Sequence, residues 1–560
     1  MTILSYLTDA ICDVVIRLFP DLACEVGHIS LTRCRSTSLG DFQCNDVMKW
    51  CKTVGCSPLL LADNLIIELE KVHFLEKVTV TGPGFLNFRL NSSWLAEKLA
   101  TVLNPPLLFH GKKVIIDFSS PNVAKKMHVG HLRSTILGDS LSRLFQFCGA
   151  DILRLNHLGD WGTQFGMILA FLDDYPSDKL DLEKISDIYR QSKHQFDNDP
   201  IFKQRAYEKV IALQRGDEDL LKVWERLCSI SEEGYRKIYS LLGIEDLISR
   251  GESFYKNHLQ SMVDYLRDSC LAEESEGAVC IFVDGYEIPF MVQKSDGGFN
   301  YDTTDLAAVR HRVEEENGEI LIYVTDSGQV LHFELLEAVA RKVGYLPSSV
   351  QFMHVPFGLV LGSDGKKFKT RSGIVEPLIG LLEEAIERAA LLLVEKGWER
   401  SDPEFLRTSH VLGIGSVKFL DLINHRIHDY RFSYDKMLQF DGKTAPFILY
   451  SRVRALSIVR KVSCEHDVYD AIDLACEEER SLALLLLEFR DVVNRVVEVN
   501  TPHLLADYSY NLAKQFNCFV RDCRVEGSLR EMERSLLCRL TADVLGKSLE
   551  LLGIDLIDRM

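Results

Sequence analysis

Apolar and polar positions alternate with three different rhythms along the chain. The first residues, MTILSYLTDAICDVVIRLFP, keep their apolar side chains on one helical face, and Asp9 and Asp13 interrupt the run. This predicts an amphipathic helix rather than a signal peptide. A second helical stretch follows, then VTVTGPGFLNFRL, which reads as strand, turn, strand. Pro105, Pro106 and Gly111 mark a linker.

From about residue 112 to 375 the runs KVIIDF, ADILRLN, EILIYVT and VQFMHV alternate with helical stretches. Strands buried on both faces and separated by helices predict a parallel α/β sheet. Between about 180 and 265 the chain is charged and helical without strand rhythm, as an insertion would be. Beyond 376 the period is helical, as in LIGLLEEAIERAALLLVEKG and SLALLLLEFRDVVNRVVEV. The expected architecture is α/β: a Rossmann-type parallel-sheet catalytic domain with a helical insertion, an α+β N-terminal domain and an all-α C-terminal bundle. The expected boundaries are 1–110, 111–375 with its insertion, a helical connector at 376–440, and 441–560. No apolar run reaches the ~20 residues of a membrane helix.

Composition narrows the function classes. The 560 residues carry a net charge of −18, with 26% charged and 46% apolar positions. Such a chain has ample core, is neither disordered nor fibrous, and does not coat nucleic acid by bulk charge. The 15 cysteines include no C-x-x-C pair, and the spacing of Cys44, Cys51 and Cys56 suits no zinc site. Isolated thiols, no structural metal, no membrane and a cytoplasmic location are expected.

The chemistry concentrates in KVIIDFSSPNVAKKMHVGHLRSTILGDSLSRLFQFCGADILRLNHLGDWG. It reads as a βαβ unit whose first loop lies at the carboxyl edge of the sheet, where open α/β sheets bind ligands. His128 and His131 stand three apart at the start of its helix, with Gly130 between them. Free N–H groups and the helix dipole attract phosphate there, and Gly130 leaves room for the backbone to approach a nucleotide. Two imidazole donors would stabilise charge developing on phosphorus. The alternatives are metal ligation, for which no third ligand is at hand, and ordinary capping or core histidines. A second piece, SDGKKFKTRSG, crowds Lys366, Lys367, Lys369 and Arg371 into one loop. It is either a solvated turn or a clamp on triphosphate.

Together these segments resemble the arginyl-tRNA synthetases, a class I aminoacyl-tRNA synthetase family, of the bacterial type. His128-Val129-Gly130-His131 is similar to the HIGH motif, and Lys367-Phe368-Lys369-Thr370-Arg371 to a degenerate KMSKS loop. SSPNVAKKMHVGHLRSTILGD and HLGDWGTQFG resemble this amino-acid specificity in particular. The similarity runs from GDFQCN and GPGFLNF to FNCFVRDCRV and LLGID, essentially the whole chain. It implies ligation of L-arginine to tRNA(Arg) with ATP through an arginyl-adenylate, releasing AMP and pyrophosphate. Lys125, His128, Gly130, His131, Lys367, Lys369 and Arg371 would be catalytic, with Mg²⁺ on the phosphates. The surrounding motif region comprises Asn122, Val123, Ala124, Lys125, Lys126, Met127, Val129 and Leu132 with the two histidines.

A guanidinium demands fixed carboxylates and acceptors. Tyr301 and Asp305 are i, i+4 on one helical face. The resemblance implies Asp117, Ser120, Asn122, His131, Tyr301, Asp305 and Gln329 as arginine-binding residues. Asp305 is the favoured guanidinium partner, with Asp117 a candidate for the α-amino group. Two positions depart from the family pattern. Lys126 stands where proline is usual, and Thr370 stands where the class motif has its second lysine. Lys125 is the candidate replacement for that charge.

The overall acidity has one local exception. Between Asn424 and Ser463 eight Lys and Arg stand against three Asp, with Tyr430, Phe432, Tyr434, Phe440, Phe447 and Tyr450 interleaved. That pattern fits either single-stranded RNA loops or a bundle with core aromatics. DGKTAPFILYSRVRAL resembles the family's entry into its anticodon-binding domain. Arg426, Lys443, Tyr450, Arg452 and Arg454 are the expected tRNA contacts. The resemblance places an outer-corner tRNA contact in 1–110, and implies a monomer and tRNA-dependent arginine activation. The rivals are a small-molecule nucleotidyltransferase sharing the H-x-G-H helix and a non-catalytic tRNA-binding relative.

Overall fold

A computed structural model describes residues 2–27, 29–34, 36, 38–175, 180–362, 365–366, 377–462 and 474–560. Its centre is a five-stranded parallel sheet in the order Gln351–His354, Ile320–Tyr323, Lys113–Asp117, Asp151–Asn156, Ile248–Ser249. The strands end in register, Asp117 lying opposite both Tyr323 and Leu155. Their carboxyl-end loops therefore open on one edge.

Side-chain alternation sends successive residues of Lys113–Asp117 to opposite faces. Val114 and Ile116 join the core under the helix Val129–Phe147, a core that continues into both flanking domains. Ile115 joins a second core beneath the helices Lys256–Asp268, Tyr301–Glu314 and Val330–Lys342. Both faces are covered, which explains the unbroken apolar runs. The helix Val129–Phe147 lies very close to the sheet. A Cβ on Gly138 would come within 2.1 Å of the Phe118 ring, so only glycine fits there.

The N-terminal region packs the helices Ile3–Leu18, Val47–Val54 and Pro58–Leu69 on a four-stranded antiparallel sheet. Its first two strands, Leu31–Arg33 and Phe42–Cys44, have three residues each, too few for alternation to register in the sequence. The C-terminal bundle comprises Ala445–Lys461, Glu477–Leu487, Phe489–Val499, His503–Asp522 and Glu531–Leu551.

Three details differ from the sequence expectation. The insertion is the helices Leu182–Asn198, Pro200–Gln214 and Glu218–Leu241, and the chain is already back in the sheet at Ile248–Ser249. That two-residue edge strand is exposed and carries no apolar signature. A three-stranded antiparallel sheet, Glu273–Ser275, Ala278–Ile281 and Phe290–Gln293, lies within the catalytic region, again from strands too short to read. The connector is not wholly helical, because Tyr430–Arg431 pairs with Val360–Leu361. No helix among the described residues is long and apolar enough to cross a membrane.

Candidate active site

The loop after Lys113–Asp117 turns sharply into the helix Val129–Phe147. Three non-glycine residues in it have positive φ: Ser119 at 73°, Ser120 at 43° and Ala124 at 67°. Such strain persists only where the surroundings impose it. Each of the three amides is gripped by a side chain from elsewhere. Ser119 N donates to Ser134 Oγ at 2.8 Å, Ser120 N to Asn156 Oδ1 at 2.9 Å, and Ala124 N to Ser231 Oγ at 3.1 Å.

Ser231 belongs to the last insertion helix, which repeats the bracing at i+4 and i+8. The Tyr235 hydroxyl sits 2.9 Å from the carbonyl oxygens of Asn122 and Lys125. The Tyr239 hydroxyl sits 2.8 Å from Ser119 Oγ. The insertion had no role legible in its own sequence, and here it buttresses the loop.

At the helix start the two histidines cap the backbone. Gly130 N donates to His128 Nδ1 at 3.0 Å, and His128 N donates to His131 Nδ1 at 3.1 Å. With each Nδ1 accepting, the ring proton resides on Nε2. Burial, then His128 and Lys125, push His131 down to about 3, while burial and Lys125 lower His128. Both rings are neutral donors near pH 7. Capping and donation into the cleft are thus not alternatives, because each nitrogen has one task.

The cleft beside them holds about 510 Å³. Ser119, Ser120, Asn122, His128, Gly130, His131 and Gln329 line it, with Arg133, Asp326 and the Phe357–Val360 turn opposite. Arg133 also ties the helix to the connector: its guanidinium lies 3.2 Å from Asp421, both buried, and donates to His428 O at 2.9 Å. Val123, Ala124, Met127, Val129 and Leu132 are buried packing residues of the motif.

Lys125 is not among the lining residues, and its ammonium rests over the Tyr189 ring at 4.6 Å. It acts on the histidines by charge rather than by reaching into the cleft. Lys126 pairs with Glu183 of the insertion. Lys367, Lys369 and Arg371 lie outside the described residues. The flanks of that segment both border the motif, since Val360 lines the cleft and Pro377 bridges to His128.

The acidic residues converge next to this cleft. Asp117 takes Arg312 Nη2 on Oδ2 at 2.6 Å and Ser120 Oγ on Oδ1 at 2.8 Å. Its charge is therefore shared with a buried arginine before any ligand arrives. Asp305 stands between two histidines, His332 Nε2 at 2.7 Å and His157 Nε2 at 3.3 Å. Burial would raise this carboxyl, but the two histidines hold it well below the usual carboxylate range. His332 also lies 3.3 Å from Asp302 through Nδ1, and Tyr301 packs edge-on against its ring. Burial opposes its charge, yet hydrogen bonds and charge from Asp302 and Asp305 raise it to about 9. Nearby Glu252 is pushed up to about 7 by burial, partly offset by His157. Gln329 is held by Asp326 through an Nε2–Oδ2 hydrogen bond of 2.9 Å.

Sequence reasoning missed His157, Glu252 and His332. The available signal was a histidine among apolar residues in HLGDWG and in VLHFELL, which is too common to single out.

The chain matches three family descriptions in succession: "Arginyl tRNA synthetase N terminal domain" over residues 3–90, "tRNA synthetases class I (R), catalytic domain" over 97–434, and "DALR anticodon binding domain" over 448–560. The chain belongs to the class I arginyl-tRNA synthetases. It is 44% identical to the arginine–tRNA ligase of Chlamydia abortus over the full length of both chains. It is 43% identical to that of Nostoc sp., over 95% of each. The crystal structure of the Plasmodium falciparum arginyl-tRNA synthetase superimposes with a TM-score of 0.86 at 32% identity, covering 99% of both chains. The Thermus thermophilus enzyme has the same fold, with a TM-score of 0.81.

Within this synthetase the basic stretch is mostly tied down. Arg426 donates to Asn500 O at 3.0 Å and Pro356 O at 2.8 Å, joining connector to bundle. Arg452 donates to Ile557 O, Arg454 to Asn517 Oδ1, and Lys443 pairs with Asp507. Tyr450 is exposed. The three guanidinium groups thus join separate elements, Arg426 and Arg452 through backbone carbonyls that need donors and Arg454 through a side-chain amide. Among the described residues, one set of donors converges closely enough for a metal ion: Cys476, Glu478 and Cys523 of the bundle. None of them lines the cleft.

Proposed function

We propose that the cleft activates arginine by attack of its carboxylate on the α-phosphate of ATP, and that the adenylate then esterifies the terminal ribose of tRNA(Arg). The activity is that of an arginine–tRNA ligase, with ATP consumed. The observation that carries the mechanism is the pair of capping contacts, which fixes an Nε2–H donor on both His128 and His131. Neutral donors preorganised toward a developing charge favour the transition state over the ground state. Gly130 lets a nucleotide approach the backbone at the positive end of the helix.

In this reading the guanidinium is taken by Asp305, with Tyr301 over it and the buried Glu252 as a further acceptor. Ser120, oriented by Asp117, and Asn122 and Gln329 at the cleft wall hold the amino-acid end. Lys367, Lys369 and Arg371 neutralise the departing pyrophosphate, with Lys125 adding a longer-range positive field.

Mg²⁺ is expected with ATP. Among the described residues the one carboxylate lining the cleft is Asp326, and its oxygens already accept from Gly328 N and Gln329 Nε2. That donor set does not fit a protein cage for the ion. The tRNA surface would be built on exposed groups of the bundle such as Tyr450, with Lys443, and on the N-terminal domain. A monomer, a cytoplasmic location and dependence of activation on bound tRNA complete the proposal.

Arginine-dependent pyrophosphate exchange, with and without tRNA(Arg), tests it. Exchange with arginine and not with lysine is the expected result. No exchange under either condition removes the mechanism. Equal exchange without tRNA removes only the tRNA dependence.

A further inference from the structure

The Asp305 carboxylate already has a cation before any substrate arrives. His332 is bound to it at 2.7 Å and to Asp302 at 3.3 Å, in a largely buried position beneath Tyr301. The groups facing this imidazole are few. The helix Tyr301–Glu314 offers Tyr301, Asp302 and Asp305. The loop after Asp151–Asn156 offers His157, which shares Asp305. The neighbouring strand offers His354, pushed down to about 4 by burial and Arg426, with Thr325 Oγ1 2.8 Å from its Nε2. Farther out are Glu252, Asp160 and the closed pair Asp117–Arg312. His332 is the imidazole that touches both carboxylates; His157 touches Asp305 alone and more distantly, and Asp305 raises it against the cost of burial. A proton on His332 therefore offsets charge on both Asp302 and Asp305.

We propose that His332 is the resident cation of the guanidinium site: protonated before arginine binds, it yields its proton to solvent as the guanidinium takes Asp305. The proposal rests on the reading of Asp305 as guanidinium partner. A carboxylate has lone-pair sites for a bidentate guanidinium as well as for an imidazole. Two full cations on one buried carboxylate repel each other, and the imidazole is the one that can discharge. Neutral His332 then keeps its hydrogen bond and holds Asp305 in place. His332 is in this sense a specificity-determining residue. It holds the site for a ligand that brings its own permanent charge, and a neutral isostere of arginine cannot supply that exchange.

The sign of the linkage is definite. Binding favours the deprotonated imidazole, so raising the pH strengthens arginine binding until His332 is neutral in the free protein. Because the free imidazole is raised to about 9, most molecules carry the proton at pH 8. Glu252 is raised only to about 7 and is largely ionised by then, so its own discharge contributes little at that pH.

The test is isothermal titration of the full chain with L-arginine at pH 8 in buffers of different ionisation enthalpy. Release of close to one proton is expected, with Kd falling about tenfold per pH unit between about pH 7.5 and 8.5. In H332Q the release disappears and Kd becomes flat over that range. An NMR titration of the His332 ring in the unaltered protein, with and without arginine, provides a reading independent of the variant. Arginine binding with no proton release, or undiminished release in H332Q, overturns the proposal. Failure of the unaltered protein to bind arginine at all would instead overturn the ligase mechanism on which it rests.

Discussion

The Tyr235 hydroxyl, on the last helix of the insertion, lies 2.9 Å from the carbonyl oxygen of Lys125, three residues ahead of the first motif histidine. It is equally close to the carbonyl of Asn122 and so spans the strained loop. Tyr235→Phe removes the only proton those carbonyls share there. The loop should relax, and with it the placement of His128. Arginine-dependent exchange is expected to slow by about tenfold through kcat, since one buried hydrogen bond is worth about 1 kcal/mol and misplacement adds to it. An effect confined to thermal stability would assign Tyr235 to packing alone.

The capping contacts separate two roles of His128. Asparagine reproduces the Nδ1 acceptor and is a good N-cap, but it has no group at Nε2. His128→Asn is expected to keep the melting temperature within a few degrees while exchange falls by about 10²–10³, the usual effect of removing one preorganised donor. Near-normal exchange in this variant would show that His128 only caps.

Arg480 and Asp41 join the bundle to the N-terminal domain by two hydrogen bonds, Nε to Oδ1 at 2.9 Å and Nη2 to Oδ2 at 2.6 Å, both groups buried. Arg480→Ala leaves a buried carboxylate with the Leu90 amide but no countercharge, and should cost about 3–5 kcal/mol in urea unfolding. The double replacement by leucines should cost less than the single one. The reverse order would contradict an unpaired-charge explanation.

Gly138→Ala drives a methyl into the Phe118 ring, against carbons at 2.1–2.6 Å. The helix and the sheet cannot both stay in place. A loss of about 1–3 kcal/mol is expected from overpacking, read as a lowered midpoint at unchanged denaturant slope.

The Asp305–His332 contact also predicts how stability varies with pH. Asp305 is depressed on folding, so its contribution is present above about pH 4 and is lost as the pH falls. His332 is raised from an unfolded value of about 6.5 to about 9, so its contribution is full below about pH 6.5 and is lost as pH rises. The melting-temperature difference between the wild type and His332→Gln should therefore peak between about pH 4 and 6.5 and close by about pH 9. A difference that widens toward alkaline pH would contradict this.

The fold class was legible because the strands Lys113–Asp117 and Ile320–Tyr323 are buried on both faces and so carry continuous apolar centres. The H-x-G-H segment was legible because its residues are adjacent in the chain. The short strands Leu31–Arg33 and Ile248–Ser249 were not, since two or three residues show no period. The basic face around Asn424–Ser463 was misleading in composition. Charge counts do not reveal that Arg426, Arg452 and Arg454 meet acceptors tens of residues away.

The sequence alone determined the long helices, the doubly buried strands and the place of the H-x-G-H segment at a helix start, because periodicity and helix capping act within one turn or one strand. Only the tertiary structure decided the partners of the charged groups. Asp117 faces Arg312, 195 positions along the chain, and Asp305 faces His332 rather than open solvent. A buried charge is governed by whatever lies within a few ångströms of it. Those neighbours come from separate strands and helices, so no local pattern in the chain specifies them.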